Sequence, residues 1–312
     1  MANRELKIGN LTINDDSDVF VIAEIGHNHQ GSLEKCKELF KLASESGASA
    51  VKLQKRDNKN LYTKSFYDSP YEGPTSFGDT YGIHRENLEF GLSEYKELQK
   101  LAKELNLIFF ATAFDLNSLE FLINLKMPVI KIASGDLKTV PLLRAVANSN
   151  IPVILSTGGS TMEDVNRAMK ILDPKKTAIL QCTAAYPAEA RDMDLNVIKT
   201  FRQKFPETVI GLSSHDRGIS FPVIASVLGA RIIEKHFTFD RSGKGTDHSF
   251  SLEPVGMKKM VRDLNLALKA LGDGNKKFHE SETSGIRKMG KMITYSRNLS
   301  AGHIIKIGRA HV

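Results

Sequence analysis

The chain has 312 residues, 41% of them hydrophobic and 25% charged, with a formal net charge of +7, a balance that suits one large globular domain with a small addition. Met1 is followed by no apolar signal core, and no run approaches the ~18 apolar residues of a membrane span, which points to a cytoplasmic protein without membrane partners. Cys36 and Cys182 lack a CxxC spacing, which argues against disulfides and structural zinc. The lysine pairs (Lys175-Lys176, Lys258-Lys259, Lys276-Lys277) are scattered rather than gathered on one face with aromatics between them. That pattern excludes a nucleic-acid partner and leaves solvated surface charge, or attraction of an anionic substrate.

In chain order, eight apolar runs of strand length each lead into residues that chemistry can use. Val19 to Ala23 ends at Glu24, and Ala50-Val51 runs into Lys52 and Gln54. Leu107 to Phe110 reaches Thr112, Val129-Ile130 reaches Lys131 and Ser134, and Val153 to Leu155 reaches Ser156. Ala178 to Leu180 reaches Gln181 and Thr183, Val209 to Leu212 reaches Ser213 and His215, and Ile232-Ile233 reaches Glu234 and His236. Segments of helical length separate the runs. The first lies between Ser32 as N-cap and Gly47 as C-cap; seven more are predicted over 92–105, 116–125, 141–148, 161–172, 195–205, 219–228 and 254–271. Pro152, Pro174 and Pro206 fall between elements, where proline does no harm. Eight β-then-α units with polar residues at the strand C-termini predict a (β/α)8 TIM barrel over residues 1–274, with the active site at that end. Residues 56–90 read as the one long irregular stretch, and such a loop inside a compact barrel is usually functional. Residues 275–284 read as a linker and 285–306 as the start of a second module.

Side chains two apart on a strand share a face, so Lys52 pairs with Gln54, Ser213 with His215, and Glu234 with His236. The two histidines end adjacent strands, and barrel closure brings Glu24 alongside. Two imidazoles near carboxylates suit a divalent metal with positions left open for water and substrate. Lys52, Thr112, Lys131, Ser134, Ser156 and Ser213 form a second constellation. Two ammonium groups and several hydroxyls suit a phosphate or phosphate ester, and a buried lysine is costly without an anion. The turns at Ser134-Gly135-Asp136 and Ser156-Thr157-Gly158-Gly159 also free backbone N–H groups that favour anions. Asp115 reads as a helix cap and Asp240 as a loop charge.

Several segments carry a resemblance. Glu24-Ile25-Gly26-His27-Asn28-His29-Gln30-Gly31, Lys131-Ile132-Ala133-Ser134-Gly135-Asp136, Gln181-Cys182-Thr183-Ala184-Ala185-Tyr186-Pro187, Gly211-Leu212-Ser213-Ser214-His215 and Glu234-Lys235-His236-Phe237-Thr238 resemble the sialic acid synthase (N-acetylneuraminate synthase) family. So do 78–84 and 244–249, and the likeness runs in order from about Ile8 to Leu271. It implies a metal-dependent aldol-type condensation of phosphoenolpyruvate with an open-chain N-acyl hexosamine, N-acetylmannosamine first, giving a nine-carbon 2-keto sugar acid and phosphate. Sister enzymes making legionaminic or pseudaminic acid share that chemistry. The intact charged set argues against the other reading, an inactive sugar-phosphate-binding barrel.

By the same resemblance, His215 and His236 would hold the metal, Mn2+ first and Mg2+ or Co2+ as alternatives. Phosphoenolpyruvate would fall on Lys52, Thr112, Lys131, Ser134, Ser156 and Ser213, and the sugar on Gln54, Tyr186 and Asp247. Glu24 and Glu234 would flank the reacting carbons, the metal polarising the aldehyde and later holding the attacking water, with Glu24 the proton acceptor. Asp136 would be a third catalytic acid with a role in proton transfer; it stands where many bacterial members carry Glu and aligns this chain with the animal-like branch. The family also carries a C-terminal antifreeze-like domain that covers the partner's site in a domain-swapped homodimer. Here 285–306 resembles its opening, and 307–312 resembles a translated sequencing adapter, so a truncated gene is expected.

Overall fold

Each of the eight core strands is buried along most of its length, because a parallel barrel wall is covered by side chains inside and by helices outside. The computed structural model describes residues 4–292, 294–295, 298–304 and 310–311. It divides into two compact units, Met1–Leu271 and Gly272–Val312.

The first unit begins with an antiparallel hairpin, β1 (Glu5–Ile8) and β2 (Leu11–Asn14). The barrel strands follow as β3 (Phe20–Gly26), β4 (Ala50–Lys55), β5 (Ile108–Ala113), β6 (Ile130–Ile132), β7 (Val153–Ser156), β8 (Thr177–Cys182), β9 (Val209–Ser214) and β10 (Ile232–His236). They are all parallel, pair in chain order and close between β10 and β3, which sets His236 opposite Glu24. This is a (β/α)8 TIM barrel. Helix α1 (Leu33–Glu45) leads from β3 to β4, with Ser32 as N-cap accepting from the Lys35 amide. The connection after β4 carries α2 (Asn58–Leu61), α3 (Lys64–Tyr67), α4 (Tyr81–Glu86) and α5 (Leu92–Glu104). Beyond β5, the outer ring is completed by α6 (Leu116–Asn124), α7 (Val140–Ser149), α8 (Met162–Met169), α9 (Val197–Lys204), α10 (Ser220–Val227) and α11 (Pro254–Leu271). Asp115 caps α6 by accepting from the Ser118 amide, as its position before an apolar run predicts.

Inward positions change character on climbing each strand. Phe20, Ile22, Ala50, Phe110, Ile154, Ala178, Leu180, Val209 and Ile232 form one apolar cluster together with Leu6, Ile8 and Ile13 of the hairpin. The hairpin thus plugs the end where the strands begin, a segment that sequence reasoning left unassigned. Further up, the inward positions are Glu24, Lys52, Thr112, Ser156, Ser213 and Glu234, so the polar layer sits on an apolar floor. A second apolar cluster fills the space between the strands and the helices.

The structure corrects the expectation that 56–90 is irregular. Three short helices lie in it, and Tyr62, Phe66, Tyr71, Tyr81 and His84 pack ring on ring, with centroids 4.5–6.1 Å apart. Aromatic packing rather than long helical periodicity orders this loop.

In the second unit, α12 spans Thr283–Met289, and β11 (Thr294–Tyr295) pairs antiparallel with β12 (Ala310–His311). The expected tail at 307–312 lies outside the described residues apart from Ala310–His311, and part of the expected module opening at 285–306 also lies outside them. Among the described residues, no helix is long and apolar enough to cross a membrane.

Candidate active site

The strand ends deliver two cations and two anions to one buried layer. Lys52 Nζ on β4 lies 2.6 Å from Glu24 Oε2 and 3.7 Å from Glu234 Oε1, and donates to Thr112 Oγ1 at 2.9 Å. Lys131 Nζ on β6 donates to Ser156 Oγ at 2.8 Å and to Glu234 Oε1 at 3.3 Å. Ser213 Oγ donates to the same Glu234 oxygen at 3.3 Å, and Gln54 Nε2 donates to Glu24 Oε1 at 2.8 Å. All four charged residues are at most 4% exposed. Their charges cancel, which is how such a cluster survives burial. Gly26 closes the rim: at φ +54°, it turns the chain where a Cβ would crowd Gln54 Nε2 at 3.2 Å and Glu24 Oε1 at 3.3 Å.

The two glutamates are driven in opposite directions. Burial raises the Glu24 carboxyl above its ordinary range, against the opposing pull of Lys52. Burial would raise Glu234 too, but Lys131 and Lys52 outweigh it and hold that carboxyl down to about 2. Two like groups with separated pKa values can divide the work: Glu234 stays ionised as an anchor, while Glu24 exchanges a proton. Burial also lowers the Lys131 ammonium pKa, so an arriving anion would favour its charged form further.

Above this layer, the ring centroids of His215 and His236 lie 5.5 Å apart. His215 Nδ1 lies 2.8 Å from the Thr183 carbonyl oxygen. A carbonyl only accepts, so Nδ1 carries a proton and Nε2 is the nitrogen left to face a ligand. The ring is braced by Tyr186, centroid to centroid 4.2 Å. His236 Nδ1 is buried without a hydrogen-bond partner, 3.5 Å from Asp247 Oδ2. Burial lowers its pKa, which favours the neutral, ligating form. Glu234 Oε2 is likewise buried and unpartnered. Two imidazoles beside an unpartnered carboxylate oxygen fit a divalent cation. Among the described residues, no three His, Cys, Asp or Glu side chains are arranged to enclose an ion by themselves.

A cavity of about 460 Å³ collects nearly all the expected site residues: Glu24, Lys52, Gln54, Thr112, Lys131, Ser134, Ser156, Tyr186, Ser213, His215, Glu234, His236 and Asp247 all line it. Asp136 does not; its carboxyl accepts from Thr139 Oγ1 at 3.1 Å, and burial raises its pKa. The wall also holds His27, Arg56, Arg85 and Phe114, none of which sequence reasoning singled out as a site residue. Arg56 was within reach of the alternation that begins Lys52, Gln54. Arg85 and His27 had no such signal.

Comparison with known proteins agrees with this geometry. The NeuB family matches residues 39–276. The human N-acetylneuraminate-9-phosphate synthase is 37% identical over 288 residues, 92% of this chain and 80% of that protein. The N,N'-diacetyllegionaminic acid synthase of Campylobacter jejuni is 35% identical, over 92% of this chain and 88% of its own. The crystal structure of N-acetylneuraminic acid (sialic acid) synthetase from Leptospira borgpetersenii, in complex with citrate, superposes with a TM-score of 0.79 at 33% identity, covering 92% of this chain and 96% of that one. With the family matched across most of the barrel and these relatives covered over 80% or more of their own length, the chain belongs to the NeuB family of sialic acid synthases and is a sialic-acid-type synthase.

Proposed function

We propose that this chain condenses phosphoenolpyruvate with an open-chain N-acyl hexosamine, N-acetylmannosamine, giving N-acetylneuraminate and phosphate. The observation that carries the reading is the neutral four-charge layer of Glu24, Lys52, Lys131 and Glu234 beneath two imidazoles. Lys52 and Lys131 take the phosphoenolpyruvate anion, helped by the hydroxyls of Thr112, Ser134, Ser156 and Ser213. Gln54, Tyr186 and Asp247, higher on the wall, hold the sugar. The donor set fits a divalent ion on His215 and His236, Mn2+ in this proposal. When bound, such an ion supplies Lewis-acid polarisation of the sugar aldehyde.

In the reaction, a C–C bond forms between the methylene carbon of phosphoenolpyruvate and the aldehyde carbon as the C=C and C=O π bonds open, and the aldehyde oxygen becomes a hydroxyl by taking up one of the protons that the water gives up. Water adds to the adjacent carbon, and the C–O bond to phosphate breaks. Glu24, with its raised pKa and its link to Gln54, takes the water's proton at a carboxylate oxygen. Glu234 keeps both ammonium groups oriented and offsets their charge once the anion has left. Asp136 lies off the cavity wall, so proton transfer is assigned to Glu24 rather than to it.

A second reading, with a dideoxy N-acyl sugar as acceptor, draws on the 35% identity to the Campylobacter legionaminic acid synthase. The test incubates the protein with phosphoenolpyruvate, Mn2+ and a panel of N-acyl sugars, following phosphate release and product mass. Product from N-acetylmannosamine, lost in His236→Ala and after chelation, is the expected result. Phosphate release that persists in metal-free buffer, or none with any sugar, would overturn the proposal.

A further inference from the structure

On the outer face of the barrel wall, behind the two histidines, lies a buried charge pair that the condensation as written leaves without a role. Lys235 stands between Glu234 and His236 on β10, so alternation turns its side chain outward while both neighbours line the cavity. Asp216 follows His215 where the chain leaves β9. Lys235 Nζ donates to the Asp216 carbonyl oxygen at 2.6 Å and to Asp216 Oδ1 at 2.8 Å. Ser214 Oγ donates to the same carboxylate oxygen, and Ser214 is the residue opposite Lys235 in the β9–β10 register. Lys235 and Ser214 are 1% exposed and Asp216 3%, so the pair is closed to solvent.

Stability alone gives this pair little reason to exist. Desolvation of two buried charges offsets much of their attraction, and apolar residues of similar volume often hold a core as well or better. What the ion pair adds is position. Its bonds reach both the main chain and the side chain of Asp216, fixing the backbone on one side of His215, and the Ser214 hydroxyl ties in the other side. The same lysine is the chain neighbour of His236, so one contact sets the end of β9 against the end of β10.

The two imidazoles depend on that contact unequally. His215 has supports of its own: Nδ1 is on the Thr183 carbonyl oxygen at 2.8 Å, and its main-chain carbonyl accepts from the Ala188 amide at 3.1 Å. His236 Nδ1 has no hydrogen-bond partner, and the ring packs edge to face on Phe250, with centroids 5.0 Å apart. Its place is therefore set by packing and by the backbone that Lys235 anchors. We propose that Lys235 and Asp216 are positioning residues for the metal site, an ion pair that fixes the spacing of His215 and His236 and, through them, the affinity for a divalent cation. This rests on the metal reading of the synthase site above, and adds to it two residues that line no part of the cavity.

The test compares the parent with Lys235→Met, with Asp216→Asn and with the double variant Lys235→Met/Asp216→Ala. Four quantities are read: Mn2+ affinity by calorimetry, the paramagnetic resonance spectrum of bound Mn2+, phosphoenolpyruvate affinity of the metal-free protein, and the urea midpoint. Lys235→Met strands a buried carboxylate and should be the least stable, whereas the double variant removes both charges and should recover much of the midpoint. Mn2+ affinity should nevertheless fall by about ten- to a hundredfold in both, with a changed line shape, as is usual when a group that orients a metal ligand is lost. Phosphoenolpyruvate affinity should stay unchanged, because Lys52 and Lys131 stand on other strands. Asp216→Asn keeps Oδ1 as an acceptor without its charge, so its Mn2+ affinity should fall between those of the parent and the double variant. Parental Mn2+ affinity and spectrum in the double variant would make the pair purely structural and overturn the inference, leaving the metal reading intact. Should the larger changes fail to fold, parental affinity in Asp216→Asn would overturn it equally. Phosphoenolpyruvate binding lost in step with Mn2+ would show a general distortion of the barrel and also refute the positioning role. A parent protein that binds no Mn2+ would overturn the metal reading, and this inference with it.

Discussion

Lys131→Met probes the balance of the buried layer. The substitution keeps most of the side-chain volume and removes one of the two cations that hold Glu234. At 3.3 Å, the Lys131–Glu234 attraction is about 5 kcal/mol in an effective dielectric of ~20, before desolvation is counted. Lys52 remains, but it lies 3.7 Å from Glu234 and is shared with Glu24 at 2.6 Å. The layer is left with one excess negative charge, and breaking a buried pair in this way typically costs about 3–5 kcal/mol. The pH dependence has a definite sign. Glu234 is held near 2, below its unfolded range, so its ionisation contributes stability that is present above about pH 4.5 and lost as pH falls toward 2. The shift is worth on the order of 3 kcal/mol. Without Lys131 the depression shrinks, and protonation of Glu234 relieves the excess charge. Urea unfolding of both proteins should therefore show a gap of about 3–5 kcal/mol at neutral pH that narrows in acid, below about pH 4.5. Phosphoenolpyruvate affinity should fall by about ten- to a hundredfold. A variant as stable as the parent at neutral pH, or a gap that does not change with acid, would refute the account of this layer.

Other outcomes follow from single features. His29 stacks on Phe90 at 4.3 Å, accepts from the Gly31 amide at 3.1 Å, and is held by burial to about 3. Stability should therefore drop by about 1.4 kcal/mol per pH unit below pH ~6.5 on its account, and urea melts of His29→Gln should lose that part of the slope. Gly211→Ala in β9 would drive a methyl into the Ile232 carbonyl and the Leu180 side chain, costing at least about 1–3 kcal/mol by the same melts; an unmoved midpoint would show that the wall can give. His215→Ala should leave the barrel folded by circular dichroism, yet reduce Mn2+ binding in a calorimeter as severely as it reduces turnover.

The barrel itself was legible because its signals are local. Eight runs such as Val153 to Leu155 and Ile232-Ile233 are apolar at every position, as strands covered on both faces must be. The polar residue that ends each run marks the C-terminal rim. Alternation then placed Lys52 with Gln54 and Glu234 with His236 on the inward face. The hairpin at Glu5–Ile8 and Leu11–Asn14 escaped because two four-residue strands carry too little pattern to stand out, and only the plugged floor explains Leu6 and Ile13. The order in 56–90 escaped because it depends on rings spread over that segment meeting in space.

What the sequence determined by itself was the list of chemical groups and the layer each occupies, since a two-residue repeat and a strand end are properties of the chain. What only the tertiary structure decided was what those groups became. Glu24 and Glu234 are the same residue type at the same rim. One is raised and the other held near 2, because barrel closure sets Glu234 between Lys52 and Lys131 while Glu24 meets Lys52 alone. Arg56 and Arg85 likewise read as two more charges on a basic chain until the folded loops bring them to opposite nitrogens of one buried imidazole, that of His27. Electrostatic roles depend on distances of a few ångströms inside a low-dielectric cavity, and those distances exist only once strands far apart in sequence have closed on one another.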